Sequence, residues 1–290
     1  MSSRRVGMLG YGTVGKAVHA NFPPLSSGFE LTAIGVRNPE RFSGGLFTSD
    51  LHSVVTGCDI LIEVIGGIDP ALELILAALA NNQPVITANK MLVANQWPTL
   101  RRFGSLLRFE AAVAAAIPVV SNLKQLARVN RIDKIEGILN GTTNFILQQM
   151  MSEDFDSALT KAQELGYAEA DPTSDVDGWD AAYKIAILAG IVTGRAPEVS
   201  QFKVEGIRSI TPDQVRSNTI KLIASWDREH GARVSPQTLL PEHPLAAVNG
   251  TQNAVTITGT PCGPITLMGT GAGGDATASA ILLDLMSLSD

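Results

Sequence analysis

Cysteine and histidine are scarce in this chain, and the few present do not cluster. Cys58 and Cys262 are the only cysteines in 290 residues and neither belongs to a CxxC pair, so the sequence offers no disulfide framework and no thiolate zinc site. Buried free thiols are the expectation for both. His19, His52, His230 and His243 are scattered without ligand spacing, which leaves no histidine metal site. Charge is sparse too: 17% of residues are charged, with 22 Lys and Arg against 28 Asp and Glu, a net charge of −6. The basic residues are dispersed rather than blocked, which speaks against nucleic acid as a partner. No apolar run reaches the ~18 residues that span a bilayer. Met1-Ser2-Ser3-Arg4-Arg5 runs directly into a strand-like segment rather than a signal-peptide core, so a soluble, cytoplasmic protein with no membrane partner is expected. Internal repeats, low-complexity tracts and Pro/Gly/Ser-rich linkers are absent as well. What remains is an ordinary globular composition, 45% hydrophobic, long enough for two domains or for one with an elaborate insertion.

The first half carries a nucleotide signature. Val6-Gly7-Met8-Leu9 reads as a buried strand, followed at once by Gly10-Tyr11-Gly12-Thr13-Val14-Gly15 and a helix through Lys16–Ala20. That is GxGxxG in the strand, turn and helix setting the motif needs. The first glycine makes the tight turn, the second admits a pyrophosphate and the third lets the helix pack closely, with phosphate on the helix N-terminus. A second strand, Glu30–Val36, ends in Arg37-Asn38. An acidic residue there suits the ribose 2′-OH of NAD, whereas an arginine suits a 2′-phosphate, so NADP is favoured and NAD remains an option. The plain alternative is a solvated surface arginine. Asp59–Ile65 reads as a further strand, Asp69-Pro70 as N-cap and first position of a helix through Ala71–Ala80, and Pro84–Thr87 as the next parallel strand. This last strand delivers Ala88-Asn89-Lys90 to its carboxyl end, where open α/β sheets bind ligands. Alternating strands and helices predict a doubly wound parallel sheet.

A second constellation is acidic. Gly166-Tyr167-Ala168-Glu169-Ala170-Asp171-Pro172 is followed by Asp177-Gly178-Trp179-Asp180-Ala181-Ala182-Tyr183-Lys184. After Gly178 the pattern turns helical, with Asp177 as N-cap and with Asp180 and Lys184 at i and i+4 on one face. The plain reading is an exposed ion pair worth about 0.3–0.5 kcal/mol. The neighbouring carboxylates argue instead for several acids and an ammonium converging on one small volume. A calcium loop over Asp171, Asp175, Asp177 and Gly178 fails for want of the spacing and the closing glutamate.

With these pieces in place the chain resembles the homoserine dehydrogenase family nearly end to end. The likeness rests on Gly10–Gly15, Thr87-Ala88-Asn89-Lys90, Glu110-Ala111-Ala112-Val113 through Ile117-Pro118, Ile138-Leu139-Asn140-Gly141-Thr142-Thr143-Asn144-Phe145-Ile146-Leu147, the acidic segment, and Gly269-Thr270-Gly271-Ala272-Gly273-Gly274 with Thr277-Ala278-Ser279-Ala280. The resemblance implies NAD(P)-dependent reduction of aspartate 4-semialdehyde to homoserine, within threonine, methionine and isoleucine biosynthesis. It implies that Glu169 and Asp180 bind the substrate, that Lys184 binds it and donates the proton, and that Lys90 is a second active-site lysine. Lys184, Lys90 and Asp180 thus form the expected catalytic set. The expected cofactor contacts are Gly10, Gly12, Thr13, Val14, Gly15, Arg37, Ile65, Gly66, Lys90, Gly166 and Gly271. Glu110, Val113, Ala115 and Ile117 match a loop that holds a monovalent cation such as Na+, mostly through backbone carbonyls. A homodimer is implied as well.

The sequence departs from the family at Ala114-Ala115-Ala116, where a glycine-rich stretch is usual. Alanine is disfavoured at positive φ, so either the dihedrals there are ordinary or the loop is shaped differently. The chain also ends at Asp290 without the C-terminal regulatory domain of many members, so inhibition by threonine is expected to be absent or weak. The organisation expected is a Rossmann-type doubly wound domain over residues 1–125, rejoined by 269–290, and an α+β substrate and dimerisation domain over 126–268. The rivals are another dehydrogenase of this architecture, such as an aspartate dehydrogenase or a semialdehyde dehydrogenase acting through a thiol, the latter lacking a recognisable cysteine nucleophile, and a catalytically silent NADP-binding sensor.

Overall fold

In the computed structural model, which describes residues 3–289, the chain forms two compact units. The first runs to Ala116 and resumes at Gly273; the second is Ile117–Ala272. Both boundaries differ from the expected 125 and 268. The helix Val119–Val129 packs on a helix of the second unit, Trp179–Thr193, and that carries the whole segment across.

The first unit follows the predicted alternation. In chain order it comprises β1 (Arg4–Leu9), α1 (Thr13–Ala20), β2 (Phe29–Gly35), β3 (Phe47–Thr48), α2 (Leu51–Thr56), β4 (Ile60–Glu63), α3 (Ala71–Ala80), β5 (Val85–Thr87), α4 (Lys90–Asn95), α5 (Trp97–Leu100) and β6 (Leu107–Arg108). The strands form one six-stranded sheet in the order β3-β2-β1-β4-β5-β6, and every pairing is parallel. The apolar runs of β1 and β4 are buried on both faces, as parallel strands covered by helices require. Val6, Met8, Ile34, Ile60, Ile62 and Ile86 centre the core, joined by Ala278, Ile281 and Leu285 of a returning C-terminal helix. Pro70, not Asp69, occupies the N-cap of α3, and no side chain caps it. The Ala71–Ala80 run therefore begins one residue later in its cap than the Asp-Pro pattern indicates.

The second unit holds α6 (Val119–Val129), β7 (Arg131–Ile138), α7 (Gly141–Gln149), α8 (Phe155–Glu164), α9 (Thr173–Val176), α10 (Trp179–Thr193), α11 (Pro212–Ser217), β8 (Thr219–Asp227), β9 (Gly231–Leu239), β10 (Gln252–Thr260) and β11 (Gly263–Thr270); α12 (Gly274–Met286) then completes the first unit. Its five-stranded sheet has the order β11-β10-β7-β8-β9 and is antiparallel throughout. α10 packs on β7, β8 and β9. From Ala181 to Gly190 it is buried on nearly every side, so Asp180 and Lys184 are polar exceptions in a core helix. Asp177 does not cap it. Gly178 does, at φ 87°, while Asp177 ends α9 and takes Arg208 Nε at 2.5 Å.

Candidate active site

In the first unit the three motif glycines have three separate reasons. Gly10 sits at φ 104°, a conformation that favours glycine. A Cβ on Gly15 would fall 2.3 Å from the Gly10 carbonyl oxygen, so α1 can lie against the strand end only with glycine there. Gly12 is different: a Cβ on it would meet nothing within 4 Å. No protein contact explains its smallness, and the open space lies where α1 begins without a side-chain cap. A phosphate against those N-terminal amides accounts for both observations.

Gly10, Gly12, Arg37 and Ile65, four of the expected cofactor residues, line one cleft of about 570 Å³. Arg41, which the sequence reading missed, lines it too. Arg37 and Arg41 are both exposed, and among the described residues neither has an acidic partner. Two cations left facing one cleft suit an anionic group at this edge. Tyr11 and Phe42 supply an apolar wall, their rings edge to face at 5.1 Å. Thr13, Val14 and Gly15 open α1 beside this cleft, and Gly66 follows Ile65 in the loop after β4. Lys90 opens α4, whose N-cap Asn89 accepts the Leu92 N–H at 3.1 Å.

Ala114 and Ala115 are buried and lie at φ 58° and 45°. Of the two alternatives left by alanine at these positions, ordinary dihedrals are excluded: the loop turns through the left-handed region although alanine stands where glycine is usual. Strain of about 1–2 kcal/mol per residue is the consequence. Glu110 and Val113 are buried in the same segment, and the Glu110 N–H donates to Asp284 Oδ2 at 3.0 Å. Among the described residues no group of three or more His, Cys, Asp or Glu side chains is arranged to hold a metal. A cation here would rest on carbonyl oxygens. Ile117, the last residue expected in this loop, is the first residue of the second unit.

The second unit builds its centre from buried charge. Lys184 Nζ donates to Asp180 Oδ2 at 2.7 Å and to the Leu139 carbonyl at 2.7 Å. Asp180 is 4% and Lys184 9% exposed, so the reading of a surface pair fails. Removing either partner would strand a charge in the core, which is strongly destabilising. Asn140 is the residue that joins the parts. Its Oδ1 caps α7 by accepting the Thr143 N–H at 2.8 Å, while its Nδ2 donates to Asp175 Oδ1 at 2.7 Å and to Asp180 Oδ2 at 2.9 Å. One amide therefore bridges two carboxylates, and the end of β7 grips both the acid and the lysine of α10. Thr142 Oγ1 donates to the Tyr167 carbonyl at 2.6 Å, tying α7 to the acidic loop.

Glu169 is exposed on that loop, and among the described residues its one hydrogen bond is at its backbone carbonyl, which accepts from Gln163 Nε2 at 3.1 Å. The structure brings Asp180, Lys184, Asn140 and Asp175 together and leaves Glu169 outside their hydrogen bonds. Asn140 and Asp175 are 35 residues apart, a separation at which spacing carries no signal. Asp171, exposed, accepts the Thr173 N–H, and hydrogen bonding from the Thr173 side chain, then from that N–H, holds its carboxyl below the usual range. Gly166 turns the chain after α8 at φ 73°. Gly271 has a packing reason of its own, since a Cβ would lie 2.0 Å from the Asn253 side chain. Both belong to the second unit, whereas the residues lining the nucleotide cleft belong to the first.

Comparison with known proteins agrees with both halves. Residues 10–105 match the family model described as the NAD-binding domain of homoserine dehydrogenase, and residues 118–286 match the homoserine dehydrogenase model. A homoserine dehydrogenase of Synechocystis sp. is 41% identical, covering 98% of this chain and 73% of that protein. The crystal structure of one from Thiobacillus denitrificans superposes with a TM-score of 0.91 at 38% identity, over 100% of this chain and 74% of that one. A hyperthermophilic archaeal homoserine dehydrogenase in complex with NADPH superposes at 0.86 with 27% identity, over 99% of this chain and 98% of that one. The chain spans 64% to 73% of the length of the bacterial relatives it matches.

Proposed function

The chain belongs to the homoserine dehydrogenase family, NAD(P)-dependent oxidoreductases that act on a CH–OH group, and from that premise we propose that it interconverts aspartate 4-semialdehyde and homoserine with NADP, using Lys184 as the proton donor. The observation that carries this reading is the buried ammonium of Lys184, gripped by the Leu139 carbonyl and by Asp180. When bound, the reduced nicotinamide supplies a hydride to the aldehyde carbon. Negative charge then develops on the aldehyde oxygen, and an ammonium in a desolvated setting both stabilises that oxygen and protonates it. Asp180 holds the lysine in place, Asn140 holds Asp180, and the carboxylates of Asp175 and Glu169 offer partners for the substrate ammonium.

Arg37 and Arg41 support NADP over NAD, because two guanidinium groups that have no acidic partner among the described residues suit a 2′-phosphate at the cleft edge. Lys90 is assigned beside the nicotinamide from its place after β5. The monovalent cation belongs to this reading as well, supported by the left-handed turn at Ala114 and Ala115, as do a homodimer assembled through the second unit, a cytoplasmic setting and a place in threonine and methionine synthesis. The test is spectrophotometric: NADPH should be oxidised on adding aspartate 4-semialdehyde, and NADP reduced on adding homoserine. Absence of both, with NADPH binding intact, would replace the enzyme by a nucleotide-binding protein of other purpose.

A further inference from the structure

Glu63 ends β4 and is 0% exposed. A carboxylate in that position is unfavourable by several kcal/mol unless hydrogen bonds compensate, and among the described residues no cation pairs with it. Burial accordingly raises its pKa above the usual carboxylate range. Its partners come from the loop after β4 and from the end of β5. Oε1 accepts the N–H groups of Ile65 at 2.9 Å and Gly66 at 3.2 Å. Oε2 accepts the hydroxyl of Thr87, its cross-strand neighbour on β5, at 2.6 Å. The Thr87 hydroxyl oxygen in turn accepts the Asn89 N–H at 3.0 Å, and Asn89 Nδ2 donates to the Gly67 carbonyl at 2.6 Å. The ring closes: Glu63, Thr87, Asn89, Gly67 and back along the chain to Glu63.

This ring sits where the loops have least stiffness of their own. Gly66 and Gly67 are consecutive residues at φ 74° and 73°, and two glycines in sequence have many conformations to lose. Ile65, next to them, lines the nucleotide cleft. On the other side, Asn89 caps α4 and Lys90 is that helix's first residue. One carboxylate thus sets the course of the loop under the cofactor and the origin of the helix that presents Lys90.

We infer that Glu63 is a positioning residue of this enzyme, which shapes the Ile65–Gly67 loop for the nicotinamide cofactor and orients Lys90 through Thr87 and Asn89. The inference rests on the reading of Ile65, Gly66 and Lys90 as cofactor-side residues. It separates into two arms, one through each carboxylate oxygen. Glu63→Gln keeps an acceptor for the Ile65 and Gly66 amides but sets an NH2 donor against the Thr87 hydroxyl, whose oxygen already accepts the Asn89 N–H; Thr87→Val removes only the second arm, and Thr87→Ser keeps the hydroxyl.

The experiment measures kcat, KM for NADPH, KM for aspartate 4-semialdehyde and Tm for Glu63→Ala, Glu63→Gln, Thr87→Val, Thr87→Ser and Lys90→Ala. Glu63→Ala should raise KM for NADPH about 10-fold or more, the scale of one or two buried hydrogen bonds, while the semialdehyde KM changes far less. Glu63→Gln should fall between it and wild type. Thr87→Val should lower kcat with little effect on KM for NADPH, and Thr87→Ser should restore it. Should Glu63→Ala fail to fold, the Gln and Thr87 variants carry the same test. Wild-type kcat and NADPH KM in both Glu63→Gln and Thr87→Val, whatever their Tm, would overturn the inference. Normal turnover of Lys90→Ala would remove the role given to Lys90 yet leave the effect of Glu63 on NADPH standing, so the two failures are distinguishable.

Discussion

The two units solve the problem of polar function in opposite ways. The nucleotide unit works with backbone: glycines at positive φ or in close contact, an uncapped helix start, and loops held from beneath by Glu63. Its charged side chains at the cleft, Arg37 and Arg41, stand exposed at the rim. The second unit works with side chains that a core would otherwise exclude, namely Asp180 and Lys184 on α10 and Asn140 at the start of α7. On the proposed reading, cofactor affinity depends on shape, which small substitutions can spoil without unfolding anything, and chemistry depends on buried charge, whose partners cannot be removed without strong destabilisation.

The largest expected effect breaks the charged side. Lys184→Ala should reduce kcat by about 10²-fold or more, the scale of a lost general acid, with NADPH affinity nearly unchanged. Near-normal turnover in steady-state assays would remove Lys184 from the chemistry.

Next comes the shape side. Gly12→Ala should fold with wild-type Tm, because its Cβ meets nothing within 4 Å, yet weaken NADPH about 10-fold or more, equivalent to about 1.4 kcal/mol per tenfold. Fluorescence titration of NADPH together with thermal melting checks it, and unaltered affinity would mean that the open space is not where phosphate binds. A similar loss, about tenfold in NADPH affinity and little for NADH, is expected of Arg37→Ala if it pairs with the 2′-phosphate. Equal losses for the two cofactors would make the arginine structural.

Legibility followed the same division. Gly10–Gly15, the parallel strands and the Asp180–Lys184 pair were readable because their signals are local: a motif of six residues, a run of apolar side chains, a helical repeat. The bridging of Asp175 and Asp180 by Asn140 was not, since it joins three segments that meet only when the chain is folded. Asp177 was misread as the cap of α10 for a related reason, its aspartate side chain being drawn instead to Arg208, 31 residues away. The alanines at 114 and 115 illustrate tertiary override of local preference: the surrounding core holds both at positive φ against their own propensity.

Two smaller effects probe the cores beneath each site. Lys221 in the second unit is buried, donates to Asn144 Oδ1 at 2.9 Å and to the Val248 carbonyl at 2.5 Å, and burial lowers its pKa from 10.5 to about 8. Between those values the unfolded chain binds more protons than the native one, so this group's contribution to stability rises with pH from about 8 to about 10.5. Melting curves should therefore show wild type gaining on Lys221→Met across that window and holding a constant offset below it. A gap that narrows with rising pH would contradict the assignment. Ala115→Gly should relieve the left-handed strain and raise stability by about 0.5–1 kcal/mol, visible as a small increase in the denaturant midpoint at unchanged slope.

The central claim is that cofactor binding and proton transfer are separately housed, and one paired measurement tests it most directly. NADPH Kd and kcat for aspartate 4-semialdehyde would be determined on Gly12→Ala and Lys184→Ala with NADPH saturating for the turnover assay. The account predicts a crossed pattern, in which Gly12→Ala loses affinity but keeps most of its saturated turnover while Lys184→Ala keeps affinity and loses turnover. Both constants falling together in each variant would contradict it.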